Sequence, residues 1–141
     1  MSLRYTLIAL LAVGCGPAPQ LTSSPDAGTG QSSSEEHEHG DPTNAFCPLN
    51  SQLTYANFGR AFMQKNCTGC HASYLSGAAR HGAPLEHNFD EQWTVRDHLD
   101  HIDQVAAASA SVVNTDMPPT PPIPSEEERR KLGEWLACGA P

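Results

Sequence analysis

The segment Cys67-Thr68-Gly69-Cys70-His71 constrains this chain more than any other feature. Its spacing, C-x-x-C-H, is the attachment signature of a c-type haem. Two thiols this close fit on one tight turn, where each can add to a haem vinyl group. The histidine that follows then lies under the iron and can bind it axially. Other chemistries also use a C-x-x-C pair. A thioredoxin-like redox motif needs a βαβ setting, and no strand-rich pattern flanks these residues. A zinc site needs two more ligands to close a tetrahedral cage, which would recruit Cys47 or Cys138 from far away in sequence.

The start of the chain names a compartment. Residues 1–14 read as a bacterial export signal, with Arg4 as the positive n-region and Leu7 to Val13 as a short apolar core. That core is too short to span a bilayer and is set aside from the fold. Ala12-Val13-Gly14-Cys15 resembles a lipobox, with Ala12 where Leu is usual, so Cys15 is expected to be the lipid-attachment residue. The other reading is an ordinary signal peptide with Cys15 spare. Several acyl chains on one residue suffice for stable anchoring. Gly16 lacks the acidic character associated with inner-membrane retention, which points to the periplasmic face of the outer membrane. Export agrees with haem, because c-type attachment in bacteria happens outside the cytoplasmic membrane.

Residues 15–45 hold Pro, Ser, Thr, Gly, Asp and Glu and almost no large apolar side chain. Such a segment cannot bury enough surface to offset its chain entropy, so a disordered tether is expected. Within it, Glu35-Glu36-His37-Glu38-His39 reads as a solvated acidic stretch, with weak metal binding through the two imidazoles as the alternative.

Residues 46–141 are expected to form one small domain with a limited core. Small domains usually need staples. With Cys15 assigned to lipid and Cys67 and Cys70 to haem, Cys47 and Cys138 are left, one at each edge of the domain. In an oxidising compartment that pair is expected to bridge; two free thiols are the alternative. Three helices are readable. The first runs from about Tyr55 to Asn66, with Thr54 as N-cap and Tyr55, Phe58, Phe62 and Met63 on its apolar face. Gly59 is costly inside a helix, which predicts close contact with another helix. The second runs from about Glu91 to Ala110 after Asn88 or Asp90 as cap, with Val95, Leu99, Ile102 and Val105 or Ala106 inward. The third runs from about Glu126 to Ala137. Ser125 and Glu128 make its capping box, Glu126/Arg130 and Glu127/Lys131 its i,i+4 pairs, Leu132, Trp135 and Leu136 its buried stripe, and Gly139 its stop. No strand pattern competes, so the class is all-α.

The order of these parts is an aromatic and glycine helix, C-x-x-C-H, a middle helix, a Met-Pro loop and a C-terminal helix with an aromatic. It resembles a class I (mono-haem) cytochrome c. The resemblance spans the domain and rests most on Cys67 to His71. It implies a helical domain wrapped around one covalently attached haem c, bound through Cys67 and Cys70. His71 is then the proximal iron ligand and Met117 the distal one, in Asn114-Thr115-Asp116-Met117-Pro118-Pro119. The prolines from Pro118 to Pro124 pre-order that loop. His81, His87, His98 and His101 are the competing ligands, and Met63 is expected in the core. In the family the first and last helices cross glycine against aromatic, a role that Gly59 and Phe58 against Trp135 match. The resemblance also suggests Pro84, whose carbonyl would accept from the proximal imidazole. Trp93 is expected in the core. The Cys47–Cys138 pair is not part of the general family pattern.

His/Met ligation leaves iron six-coordinate and raises its potential. The expected function is therefore a membrane-tethered one-electron carrier of the periplasm or cell envelope, not an enzyme. The alternative is a haem enzyme or sensor with a labile sixth ligand for peroxide or a diatomic gas, and a zinc or structural lipoprotein stands behind both. The formal charge of −8 predicts redox protein partners with basic docking surfaces and salt-sensitive association. It argues against nucleic acid.

Overall fold

A computed structural model describes residues 39–141. The export signal, the lipid attachment at Cys15 and the tether up to residue 38 lie outside the described residues. The described part is helical, with one isolated bridge between Ala108 and Val113 and no strand, so the all-α expectation holds for it.

Thr54 opens the first helical segment through a reciprocal cap: its side chain accepts from the Asn57 amide, and the Asn57 side chain accepts from the Thr54 amide. The chain then makes a π-helical turn, Tyr55–Gly59, which runs directly into α1, Arg60–Asn66. Together these span the expected helix. The wider turn arises where the Gly59 amide donates to the Thr54 carbonyl, five residues back, at 3.1 Å. Gly59 sits against Trp135 of the last helix. A Cβ there would stand 2.5 Å from Cη2 and 2.8 Å from Cε2, and closer still to Cζ2. The glycine is thus present because only a bare backbone admits the indole this near.

The middle region departs from the expected single helix. It consists of α2, Gln92–Asp97, and α3, Leu99–Ala106, broken at His98 (φ −123°, ψ 26°). The His98 ring Nδ1 meets the Thr94 carbonyl at 2.9 Å, so a side chain competes for a helical acceptor beside the break. The helix stops at Ala106 because the next two residues bond across the fold instead of along the helix. The Ala108 amide donates to the Arg129 carbonyl, and the Asn114 amide donates to the Ala107 carbonyl. Neither Asn88 nor Asp90 caps α2. Glu91 is the N-cap residue and makes no side-chain cap bond, while Asp90 is engaged by Ser73. Trp93 is 62 % exposed, against expectation. Its neighbours Thr94 and Val95 occupy the inward face, with Thr94 Oγ1 donating to the Asn88 and Glu91 carbonyls.

The last helix, α4, Glu126–Ala137, has the expected bounds, capping box and surface pairs. Gly139 (φ +80°) ends it, with its amide on the Leu136 carbonyl and the Ala140 amide on the Trp135 carbonyl. These two bonds satisfy carbonyls that a helix end leaves orphaned.

The core joins Phe62 and Met63 of α1, Val95, Ile102, Val105 and Ala106 of the middle helices, and Leu132, Trp135 and Leu136 of α4. Tyr55 and Phe58 flank Trp135 at ring-centroid distances of 6.4 and 5.9 Å. A disulfide joins Cys47 to Cys138 with the Cα atoms 4.8 Å apart, so the chain before α1 is tied to the end of α4.

The packed region begins before residue 46. Thr43 is fully buried, and its amide and hydroxyl both donate to the Asp103 carboxylate at 2.7 and 2.5 Å. Asn114 Nδ2 donates to the Asp41 carbonyl at 2.9 Å. Polar composition made this stretch look like tether, but paired hydrogen bonds to α3 hold it down.

Candidate functional site

Cys67 leaves the end of α1 as its C-cap residue, with its amide on the Met63 carbonyl. The Cys70 and His71 amides then both donate to the Cys67 carbonyl, at 3.1 and 2.9 Å. This closes the turn that gathers Cys67, Cys70 and His71, as their spacing requires. Both cysteines are free thiols and partly buried. Burial pushes the Cys67 thiol up to about 12, while nearby Arg129 pulls the other way. The thiol is therefore protonated near neutral pH.

The His71 ring packs against buried Phe89, with centroids 5.0 Å apart, and the Phe89 amide donates to the His71 carbonyl at 2.9 Å. Burial chiefly lowers the His71 pKa. The His87 carbonyl opposes that, and the Arg80 and His101 charges add to it. The imidazole is thus neutral at neutral pH, the form that binds a metal. His71 Nδ1 is buried and makes no hydrogen bond of good geometry.

Pro84 does not hold that nitrogen. Its carbonyl accepts instead from Arg80 Nη2 and from the His87 amide. Arg80 is 3 % exposed and organises the whole loop after His71. Its guanidinium donates to the carbonyls of Ala72, Ala83, Pro84 and His87 and to Asn88 Oδ1. A guanidinium offers five N–H donors in a rigid fork, and it takes the acceptors that a strandless loop cannot satisfy internally.

The competing histidines gather beside His71. His87 lies 6.0 Å from His71, 4.4 Å from His98 and 4.9 Å from His101, and His39 meets His101 edge-on at 4.6 Å. Burial and the neighbouring His98 and His71 lower the His87 pKa, with Glu86 opposing. Among the described residues no three His, Cys, Asp or Glu side chains converge to hold a metal ion. His81 stands apart, exposed, in the left-handed region (φ +51°).

Met117 is gripped by its main chain. Its amide donates to the Val105 carbonyl at 2.9 Å, and its carbonyl accepts from Arg129 Nη1 at 2.8 Å. Its surface is 38 % exposed. The guanidinium that holds it also exerts a charge effect on the Cys67 thiol.

Sequence reasoning missed Arg80 and Arg129, both buried. Arg129 left a signal: it lies three and seven residues before Leu132 and Leu136, on the apolar stripe of α4. Arg80 left none, since it closes a single 3-10 turn, Gly77–Arg80, too short to show periodicity.

Comparison of the chain with protein-family models, curated proteins and solved structures finds no match.

The residues present fit a covalent haem. The turn carries two unbridged thiols, and the imidazole that follows them is neutral, the form that binds a metal. The zinc alternative loses its closing thiols, because Cys47 and Cys138 are spent on each other.

Proposed function

We propose that this chain is a mono-haem c-type cytochrome acting as a one-electron carrier, tethered to the bacterial cell envelope through Cys15. The observation that carries this reading is how the described cysteines divide: Cys47 and Cys138 are bridged, while Cys67 and Cys70 stay free on one turn that ends in His71. Bound there, haem supplies a one-electron iron couple.

Cys67 and Cys70 would hold the group through two thioethers, each S–H adding across a vinyl double bond with no change in electron count. His71 would supply the proximal nitrogen, its ring steadied by Phe89. Met117 would supply the distal thioether from a loop held at both its N–H and C=O. Two protein ligands leave no open position for substrate, which favours electron transfer over catalysis. The acidic chain would dock partners with basic surfaces, and the association rate would fall with salt. The lipobox-like Ala12-Val13-Gly14-Cys15 and the following Gly16 favour a lipid anchor on the outer membrane's periplasmic face; no helix among the described residues is long and apolar enough to cross a membrane.

The test is a visible spectrum, oxidised and then reduced, of protein matured with a haem-attachment system. Sharp reduced α and β bands with a weak far-red band in the oxidised form are expected. Haem bands without the far-red band would instead favour bis-His ligation, with His87 beside His71 as a candidate, or an open sixth position, and hence the sensor or peroxide reading. A colourless protein under competent maturation would overturn the haem reading.

A further inference from the structure

Arg129 is 2 % exposed, and its guanidinium touches three parts of the chain at once. Nη1 donates to the carbonyls of Ala106 at 2.7 Å, Asn114 at 2.9 Å and Met117 at 2.8 Å. These are the end of α3 and two points of the loop that follows it. Nη2 is buried and has no hydrogen-bond partner. Asp116 favours the charged form, but burial outweighs it. An arginine does not give up its proton in a protein, so the charge stays buried and partly unpaired. Arg129 thus satisfies three main-chain carbonyls and, in doing so, fixes the geometry of the segments that carry them.

The geometry it sets is that of Met117. With the amide on the Val105 carbonyl and the carbonyl on Arg129, rotation of the Met117 peptide units is blocked on both sides. Pro118 confines Met117 further to extended backbone. Of these restraints, only the arginine comes from α4.

We propose that Arg129 is the positioning residue for the Met117 thioether, tying the Met117 loop to α4 and to the end of α3. This rests on the haem reading above. A thioether–iron bond is weak, so its persistence depends on a loop that does not leave. Without the clamp the loop opens, and an outside ligand takes the sixth position.

The experiment uses the full-length haem-loaded protein, with Arg129→Gln and, as a control, Leu132→Val, which loosens the same helix at an apolar core side chain that cannot bond the loop carbonyls. Three quantities are read: haem per chain, the oxidised far-red band, and the affinity for added imidazole. Arg129→Gln should keep one haem per chain, lose more than half of the far-red band and bind imidazole at least tenfold more tightly. Leu132→Val should lose stability but keep the band and an imidazole affinity within twofold of wild type. If Arg129→Gln yields no loaded protein, Arg129→Lys replaces it. Its shorter side chain cannot reach all three carbonyls, so imidazole affinity should rise at least threefold. A wild-type band that survives undiminished in the arginine variant, or an equal affinity gain in Leu132→Val, overturns the proposal alone. A loaded wild-type protein without the far-red band overturns the Met117 reading, and the proposal with it.

Discussion

Replacing Gly59 with alanine sets two local rules against each other. The residue has helical dihedrals (φ −58°, ψ −47°), so alanine needs no backbone change. Helix propensity alone predicts a gain of up to about 1 kcal/mol. The added methyl, however, would stand 2.5 Å from Trp135 Cη2 and 2.8 Å from Cε2, where carbon pairs prefer about 3.5–4.0 Å. The indole would have to retreat by about 1 Å. Trp135 is fully buried between Tyr55 and Phe58 and has nowhere to go without prising α1 from α4. Overpacking of this kind costs roughly 1–3 kcal/mol and occasionally more, and a clash with a rigid indole belongs at the upper end. The net expectation is a loss of about 2 kcal/mol, which for a domain of this size lowers the melting temperature by roughly 8–16 °C. Urea unfolding followed by circular dichroism should show a lower midpoint with an unchanged slope. Trp135→Phe removes the ring atoms that the methyl meets. In that background Gly59→Ala should cost less than about 0.5 kcal/mol, a coupling that contacting residues commonly show. A neutral or stabilising Gly59→Ala in the wild type, or an equal cost in both backgrounds, would refute the reasoning.

Four further outcomes are expected. Met117→Ala should abolish the far-red band while leaving haem attached; survival of the band would remove Met117 as ligand. Cys47→Ser should cost roughly 3–5 kcal/mol in the chain-entropy account, since the bridge closes a loop with a sequence separation of 91; an unchanged unfolding midpoint would refute this. In protein made without haem, iodoacetamide at pH 8 should alkylate Cys67 about two orders of magnitude more slowly than an ordinary thiol, because a thiol near 12 holds far less thiolate than one near 8.5 and its greater nucleophilicity recovers only part of the difference; mass spectrometry of the modified peptide checks it. Glu128 is pulled down to about 2, first by Lys65 and then by the Ser125 amide and hydroxyl. Its contribution is therefore present above the ordinary glutamate range and lost as pH falls toward 2. Both side chains of the pair are well exposed (52 and 36 %), so Glu128→Gln should cost less than about 1 kcal/mol at pH 7. The gap from wild type should close between pH 4.5 and 2; a gap that persists at pH 2 would refute the linkage.

Local chemistry made several features legible in the residues alone. The capping box and surface pairs of α4 depend on groups three and four positions apart, which a helix always brings together. The Cys67–His71 turn depends on a five-residue spacing, and the Cys47–Cys138 bridge followed from accounting for each cysteine. Gly59 against Trp135 was legible because a glycine inside an apolar helix face needs a reason. The tertiary structure decided what depends on groups distant in sequence. It broke the middle helix at His98, and it drew residues 41–43 onto α3 through Asp103 and Asn114. Pro84's carbonyl went to Arg80, and Met117 was gripped by Arg129. Main-chain carbonyls carry no sequence signature, because every residue has one. Which of them a buried guanidinium collects is settled only when the chain has packed.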